Sequence, residues 1–233
     1  MNGHVPAAPP GRGAARVVAW RVTRGESRWT AAAAVVAASA LQMAAPRWLS
    51  VGPRWLLPAV ELGLLGALLA SGPGRLEHRS AALRAGGLGL AGVLSLANAT
   101  SAAMLVRDLA ERQPARTAAA LLLAAGSIWA ANVIIFALWY WELDRGGPAD
   151  RCHAVRMYPD FLFPQLQQPG LAPPEWKPCF TDYLYLSFTN AISFAASDVT
   201  PLTRWAKTMM MLQSAVSVAA IALVVARAVN ILG

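Results

Sequence analysis

The residues of this chain that could do chemistry lie inside apolar stretches, where polar side chains are costly and usually face the interior of a helical bundle. Glu61 is an acid well inside such a stretch, and the amides of Asn98, Asn132, Asn190 and Gln213 lie in others. One interpretation is that the amides form hydrogen bonds between helices, each worth about 1 kcal/mol. The other is that Glu61, Asn132 and Asn190 line a polar cavity.

Motifs of soluble enzymes are missing from the sequence. It contains no phosphate-binding loop, no dinucleotide fingerprint and no G-x-S-x-G nucleophile elbow. The three histidines, His4, His78 and His153, are scattered, and Cys152 and Cys179 give no zinc-ligand spacing. We therefore expect no enzyme activity, no metal and no cofactor.

A turn of small residues before the last apolar run is the second candidate site. It consists of Ser193, Phe194, Ala195, Ala196, Ser197 and Asp198. The apolar stretch before it, Tyr183–Ile192, is too short to cross a hydrocarbon core of about 30 Å, whereas the uncharged run after it, Thr208–Ala226, is long enough. This order predicts a re-entrant element, whose non-helical backbone must be covered by protein or line a wet cavity.

Asp198 is the charged residue of this turn, and two roles are open for it. In the functional interpretation it is an anion at the mouth of the hairpin that attracts cations or holds the turn through backbone N–H groups. In the structural one it caps the last helix, which is worth about 1 kcal/mol, or it pairs with Arg204 on the surface and contributes little.

The composition places the chain in a membrane. Hydrophobic residues make up 56% and charged residues only 14%, against about 25% charged in soluble domains. The net charge of +8 resides mainly in arginines between apolar runs, as expected for contacts with lipid headgroups. The expected partner is the lipid bilayer and not nucleic acid.

Five stretches are candidates for transmembrane helices. They are Trp29–Ala45, Trp55–Ser71, Gly86–Val106, Thr117–Trp141 and Trp205–Ile231. We predict an all-α polytopic membrane protein with about five transmembrane helices and a re-entrant half-helix before the last one. Its parts are a basic, disordered tail (1–28), a four-helix transmembrane region (29–141), a Pro/Gly-rich loop (142–182) and the re-entrant helix with the last span (183–233).

Two signals for the orientation conflict. With a cytoplasmic N-terminus, most Lys and Arg residues fall on the cytoplasmic side together with the 142–182 loop, in agreement with the positive-inside rule. That loop, however, contains both cysteines, Cys152 and Cys179, and a disulfide between them would suit an oxidising compartment. We take the N-terminus and the loop as cytoplasmic because basic residues near helix ends are the better-tested determinant.

The sequence around the turn resembles the pore module of potassium channels. S-F-T-N-A-I-S-F-A-A-S-D-V-T-P lies along the pore helix, filter and following Asp of such channels, and Ser193–Asp198 falls where they carry T-V-G-Y-G-D. Asp198 and Pro201 match, but Ala195 and Ser197 replace the two glycines. Since a carbonyl-lined filter needs backbone conformations that glycine adopts cheaply, we expect no potassium selectivity.

Longer segments are similar to an uncharacterised family of bacterial multi-pass membrane proteins. They are D-Y-L-Y-L-S-F-T, the following S-D-V, A-L-V-V-A-R-A-V-N-I-L, W-Y-W-E-L-D-R-G-G-P and Y-P-D-F-L-F-P-Q. The resemblance implies a protein of the bacterial inner membrane and no known reaction. We expect a pore-loop-like module that passes ions or small solutes, as a homo-oligomer. The alternative is a non-transporting scaffold or sensor whose hairpin is structural.

Overall fold

The computed structural model describes residues 25–50, 52–71, 80–110, 117–168, 170, 172–173, 176–192 and 198–232, with side chains except at 109–110, 118 and 223–232. The predicted basic tail therefore lies mostly outside the described residues.

The described residues are mainly helical, which confirms the all-α prediction. The helices are α1 (Trp29–Ala44), α2 (Leu56–Ser71), α3 (Ala81–Ala110), α4 (Ala118–Leu143), α5 (Pro148–Cys152), α6 (Pro164–Gln167), α7 (Phe180–Ile192) and α8 (Arg204–Leu232). Turns of 3-10 helix follow α1 at Arg47–Leu49 and α4 at Asp144–Gly146. Two short strands, β1 (Phe161–Leu162) and β2 (Thr200–Pro201), pair antiparallel with Phe161 opposite Pro201.

Two helical stretches of the described residues are long and apolar enough to cross a membrane. Ala81–Asp108 has a mean hydropathy of 1.5 and Ala119–Gly146 of 2.2. Helices α1 and α2 are apolar but have only 16 residues each, a length of about 24 Å. The part of the chain that the structure describes thus contains two such helices, fewer than the five expected from the sequence.

Helix α4 is the centre of the bundle. It packs against α1, α3, α7 and α8, and three of its residues, Ala124, Ala137 and Tyr140, are fully buried. Its N-terminus is capped by Thr117, whose side-chain oxygen accepts a hydrogen bond from the amide of Ala120 at 3.2 Å. The predicted span that begins at Thr117 therefore corresponds closely to α4.

The outer surface of the bundle is apolar. Leu96 is 66% exposed, Leu122 54% and Met211 72%. Large exposed apolar surfaces are rare on water-soluble monomers, so this exposure agrees with a surface that faces lipid.

Two neighbouring glycines allow α3 to approach the helices beside it. A Cβ on Gly86 would lie 2.7 Å from Leu68 of α2, and a Cβ on Gly87 would lie 2.6 Å from the carboxylate of Glu142 of α4. A Cβ on Gly89 would meet nothing within 4 Å. Of these three glycines, only Gly86 and Gly87 therefore bring α3 close to its neighbours, as small residues do between membrane helices.

Several helix ends meet at one end of the bundle, which we call the loop end. Arg28, directly before α1, donates from Nη1 to the carbonyl of Leu68 near the end of α2 at 2.7 Å. Trp141 at the end of α4 donates from Nε1 to Glu26 at 2.6 Å. Tyr183 in the first turn of α7 bonds to the 3-10 turn that follows α4. The starts of α1 and α7 and the ends of α2 and α4 therefore lie together.

At the opposite end of the bundle, which we call the turn end after the 3-10 turn that follows α1, apolar residues are buried together. Leu49 of the 3-10 turn after α1, Leu105 of α3 and Leu121 of α4 are buried in one cluster. Ser101 of α3 lies 3.5 Å from the carbonyl of Leu49. Since α1 and α3 run from the loop end to the turn end and α2 and α4 run back, consecutive helices from α1 to α4 are antiparallel.

The predicted Pro/Gly-rich loop is a folded segment rather than a plain connector. It contains α5, α6 and β1, and it leaves α4 through left-handed backbone at Arg145 (φ 53°) and Gly147 (φ 101°). A Cβ on Gly147 would lie 2.9 Å from the carbonyl oxygen of Glu142, so glycine is required at this turn.

Candidate functional site

Gln213 of α8 is at the centre of a buried polar network. Its Oε1 accepts hydrogen bonds from the hydroxyl of Tyr140 at 2.6 Å and from Nδ2 of Asn190 at 2.9 Å. Its Nε2 donates to the carbonyl and the hydroxyl oxygen of Ser187 at 2.9 and 2.7 Å. The single amide therefore joins α4, α7 and α8.

Two further amides bond across the same interface. Asn190 of α7 also donates to the carbonyl of Met210 on α8 at 3.0 Å. Asn132 of α4 donates to the hydroxyl of Ser217 on α8 at 3.0 Å. The interpretation of these amides as hydrogen-bond links between helices agrees with these contacts.

Glu61 forms a separate cluster between α1 and α2. It is fully buried, and its carboxylate accepts from the hydroxyl of Ser39 at 2.6 Å and from Nε2 of Gln42 at 2.7 Å. Asn98 is buried on α3. The described residues thus do not bring Glu61 together with Asn132 and Asn190 in the cavity that the second interpretation expected.

Of the predicted turn, only Asp198 is among the described residues. Ser193, Phe194, Ala195, Ala196 and Ser197 lie outside the described residues. Asp198 is exposed and directly precedes the bend at Val199. Because α8 begins only at Arg204 and an N-cap directly precedes its helix, Asp198 is not the N-cap of α8, and of the interpretations left open for it the capping one is wrong. Helix α8 begins several residues after Asp198 because Thr200 and Pro201 are extended and pair with β1.

The described residues on both sides of this turn are attached to the loop end, at the start of α7 and again before α8. Helix α7 begins there and runs inward along α4, where the hydroxyl of Ser187 donates to the carbonyl of Val133 at 2.6 Å. After the turn, the amide of Leu202 donates to the carbonyl of Asp160 in the folded loop at 2.8 Å. Helix α8 then starts at the loop end as well.

Sequence reasoning missed a cluster of buried charged residues at the loop end. Asp144 is 1% exposed. Its Oδ2 accepts from the hydroxyl of Tyr183 at 2.5 Å, and its Oδ1 accepts from the amides of Asp160 and Phe161 at 2.9 and 3.3 Å. One carboxylate therefore holds the start of α7 and strand β1 to the end of α4.

Arg151 of α5 completes the cluster from the other side. Its Nη1 donates to the carbonyls of Trp141 and Asp144 at 2.6 and 3.0 Å. Its Nε donates to Glu26 at 3.1 Å, and the two side chains form an ion pair of the same length. The guanidinium also lies 5.1 Å from the ring centre of Tyr183, within the range of a cation–π contact.

Asp160 links the start of α8 to the same cluster. Its carboxylate accepts from the amide of Arg145 at 2.8 Å and from Nε1 of Trp205 at 2.8 Å. The signal for this cluster was available in W-Y-W-E-L-D-R-G-G-P and Y-P-D-F-L-F-P-Q, where acids follow directly on apolar residues. Nothing in the spacing, however, indicated that the two segments meet.

The apolar residues of the loop are buried beneath this cluster. The ring centre of Phe161 lies 5.0 Å from that of Tyr140 and 5.5 Å from that of Trp205. Phe163 lies 5.5 Å from Tyr183 and 6.0 Å from Trp176. The segment therefore packs into the bundle as an apolar plug.

The two cysteines are not joined. Cys152 is buried and Cys179 is exposed, and no disulfide links them. Partial burial and the neighbouring Asp182 raise the pKa of the Cys179 thiol above its usual value. Among the described residues no group of three or more His, Cys, Asp or Glu side chains is placed to hold a metal ion.

These contacts position the helices against one another. The carboxylates of Asp144, Asp160 and Glu61 accept hydrogen bonds from neighbouring groups of the chain, and they thereby hold together the segments that carry those groups. No protein-family model, curated protein or solved structure matches this chain. Its function must be inferred from the contacts themselves.

Proposed function

We propose that this chain is an integral protein of the bacterial inner membrane in which α1, α2, α3, α4 and α8 cross the bilayer. Antiparallel packing of consecutive helices supports five crossings. Helices α1 and α2, although short, are joined in the apolar layer by the buried carboxylate of Glu61. A bilayer can thin locally to match short helices at modest cost.

In this proposal α7 and the turn after it form a re-entrant element. The observation that carries it is that the chain is bound at the loop end both before and after the turn. Tyr183 bonds to Asp144 on the way in, and Leu202 bonds to Asp160 on the way out. With 13 residues, α7 is about 20 Å long and too short to cross.

The loop end is cytoplasmic in the proposed orientation, together with the N-terminus. The excess of Lys and Arg residues assigned to that side supports it. The absence of a disulfide between Cys152 and Cys179 agrees with a reducing compartment.

The function that we propose is the passage of ions or small solutes through a pore formed between copies of this chain. Within one chain, the side-chain amides of Asn190 and Gln213 form hydrogen bonds to each other and to neighbouring helices. They therefore do not line a pore inside the single chain, and the pore is placed between copies. The outer faces of these helices expose Tyr185 (55%), Ile192 (49%) and Ile221 (45%), and this surface is available to a second copy. The pore is not selective for potassium, because Ala195 and Ser197 stand in place of the filter glycines.

The release of potassium and of sodium from liposomes that contain the purified protein tests this function. Purified protein should release potassium and sodium at similar rates, and Asp198→Asn should reduce the flux because it removes an exposed charge at the mouth of the turn. Asp182→Asn is the matched control: it removes a charge at the start of α7, while the Asn side-chain oxygen can still accept from the amide of Cys179. A strong preference for potassium would refute the absence of selectivity.

A non-transporting scaffold or sensor is the second candidate, and one observation favours it. Gln213, Asn190 and Tyr140 bond to one another, as expected for a hairpin that only stabilises the bundle. Folded protein that releases no ion from liposomes would support this candidate and contradict the pore.

A further inference from the structure

A polar cavity of about 450 Å³ opens at the loop end, beside α1, α3 and α4 and apart from α7 and α8. Its charged lining residues are Arg28, Arg84, Glu142 and Asp150. Arg28 precedes α1, Arg84 is in the first turn of α3, and Asp150 belongs to α5. Positive and negative side chains therefore face one space at the level where the helices end.

An apolar crevice continues from this cavity between the helices. The crevice has a volume of about 70 Å³, and Val35, Leu65 and Leu138 are among the residues that line it. Arg28 and Glu142 line both the cavity and the crevice. A molecule could thus place a polar head in the cavity and the beginning of an apolar chain in the crevice.

Arg28 is the best-defined recognition group of the pocket. Its side chain is buried, with the residue 9% exposed, and its Nη1 donates to the carbonyl of Leu68. Its Nε is also buried but has no hydrogen-bond partner among the described residues. Leaving such a donor unpaired is costly, and an anionic oxygen in the pocket would satisfy it. Guanidinium groups match phosphate oxygens especially well.

The carboxylates of Glu142 and Asp150 line the same cavity as the guanidinium of Arg28. The Oε1 of Glu142 is held against α3 at the position where a Cβ on Gly87 would lie only 2.6 Å away. Asp150 lies 3.9 Å from Nη1 of Arg84. A purely anionic head would meet these two acids unfavourably, whereas an ammonium group could bond to them. The charges therefore fit a head that carries both signs.

We propose that this pocket binds one phospholipid with a primary ammonium headgroup, of the phosphatidylethanolamine class. Arg28 and Arg84 bind its phosphate, and Glu142 and Asp150 accept hydrogen bonds from its ammonium group. The first methylenes of an acyl chain occupy the crevice. This site is independent of any transport through the C-terminal hairpin.

Lipid retention by the purified, delipidated protein tests the site. The probes are phosphatidylethanolamine, phosphatidylcholine and phosphatidylglycerol with identical acyl chains, and water-soluble phosphoethanolamine. Native mass spectrometry should show retention of phosphatidylethanolamine at least about tenfold above phosphatidylcholine, because the quaternary choline has no N–H to donate and a hydrogen bond to a charged group is worth about a factor of ten or more. Equal retention of these two lipids by the unmodified protein would overturn the proposal.

Two arginine variants separate recognition from general damage to the fold. Arg28→Gln should lower the retention of phosphatidylethanolamine and of phosphatidylcholine alike, because both lipids carry the phosphate that Arg28 binds. Arg54→Gln should leave the retention of both unchanged, although Arg54 likewise donates to backbone carbonyls, those of Met43 and Ala45 at the turn end. Unchanged retention of both lipids by Arg28→Gln would overturn the assignment of Arg28. Binding of phosphoethanolamine as strong as that of the lipid would overturn the role of the crevice.

Discussion

Tyr183 holds the start of α7 to the end of α4 by a short hydrogen bond. Its hydroxyl donates to the buried carboxylate of Asp144 at 2.5 Å, and the residue is fully buried. A hydrogen bond to a charged acceptor stabilises a fold more than one between neutral groups. Loss of this hydroxyl should therefore destabilise the loop end.

We expect Tyr183→Phe to lower the free energy of unfolding by about 1.5–3 kcal/mol, because Asp144 keeps its charge but loses a donor. Tyr158→Phe removes the same hydroxyl from a residue that is 74% exposed, and it should change stability by less than about 0.5 kcal/mol. Unfolding in detergent, followed by denaturant titration, measures both. Equal effects of the two variants would show that the contact with Asp144 contributes nothing.

At the residue scale, the sequence predicted which side chains are buried better than it predicted their partners. Glu61, Asn132 and Gln213 were expected inside the bundle because they interrupt apolar runs, and all three are buried. Their partners depend on how each helix is rotated against its neighbour, which one sequence does not reveal. Asp144 was missed since an acid at the end of an apolar run resembles an ordinary interfacial charge.

At the scale of elements, run lengths were the reliable signal. The short apolar stretch before the turn is α7, and the long stretch after it is α8, as predicted. The predicted loop instead contains α5, α6 and β1. These elements were missed because they are short and are held by long-range contacts, such as those of Asp144 and Phe161, rather than by local periodicity.

The packing of α3 can be tested with two glycines of the same helix. Gly89→Ala should raise stability by up to about 1 kcal/mol, because alanine is the better helix former and its Cβ meets open space. The Gly87→Ala variant should be less stable than the Gly89→Ala variant, because the new Cβ at position 87 must displace the carboxylate of Glu142. The two melting temperatures in detergent give the comparison. Equal gains would contradict the close approach of α3 and α4.

At the scale of the whole molecule, composition indicated a membrane protein, and the two long apolar helices agree with it. The number of crossings could not be settled in this way, because α1 and α2 are each only 16 residues long. What orders the helices is their attachment at the loop end, where Glu26, Asp144 and Asp160 each join distant parts of the chain.

The side on which each part of the chain lies is tested by labelling single cysteines with a membrane-impermeant maleimide. Native Cys179 reports the loop end, whereas Cys152 is 6% exposed and should stay protected until the protein unfolds. Because the pKa of Cys179 is raised, less thiolate is present at neutral pH, and its labelling should accelerate as the pH rises. Asp198→Cys and Pro53→Cys, each with Cys179→Ser, report the mouth of the turn and the turn end.

The most direct test of the re-entrant hairpin is this labelling in right-side-out and inside-out vesicles. We expect Cys179 and the cysteine at position 198 to react only from the cytoplasmic face, and the cysteine at position 53 only from the opposite face. Reaction at position 198 only from the face opposite to Cys179 would mean that α7 crosses the whole bilayer, which would contradict the hairpin.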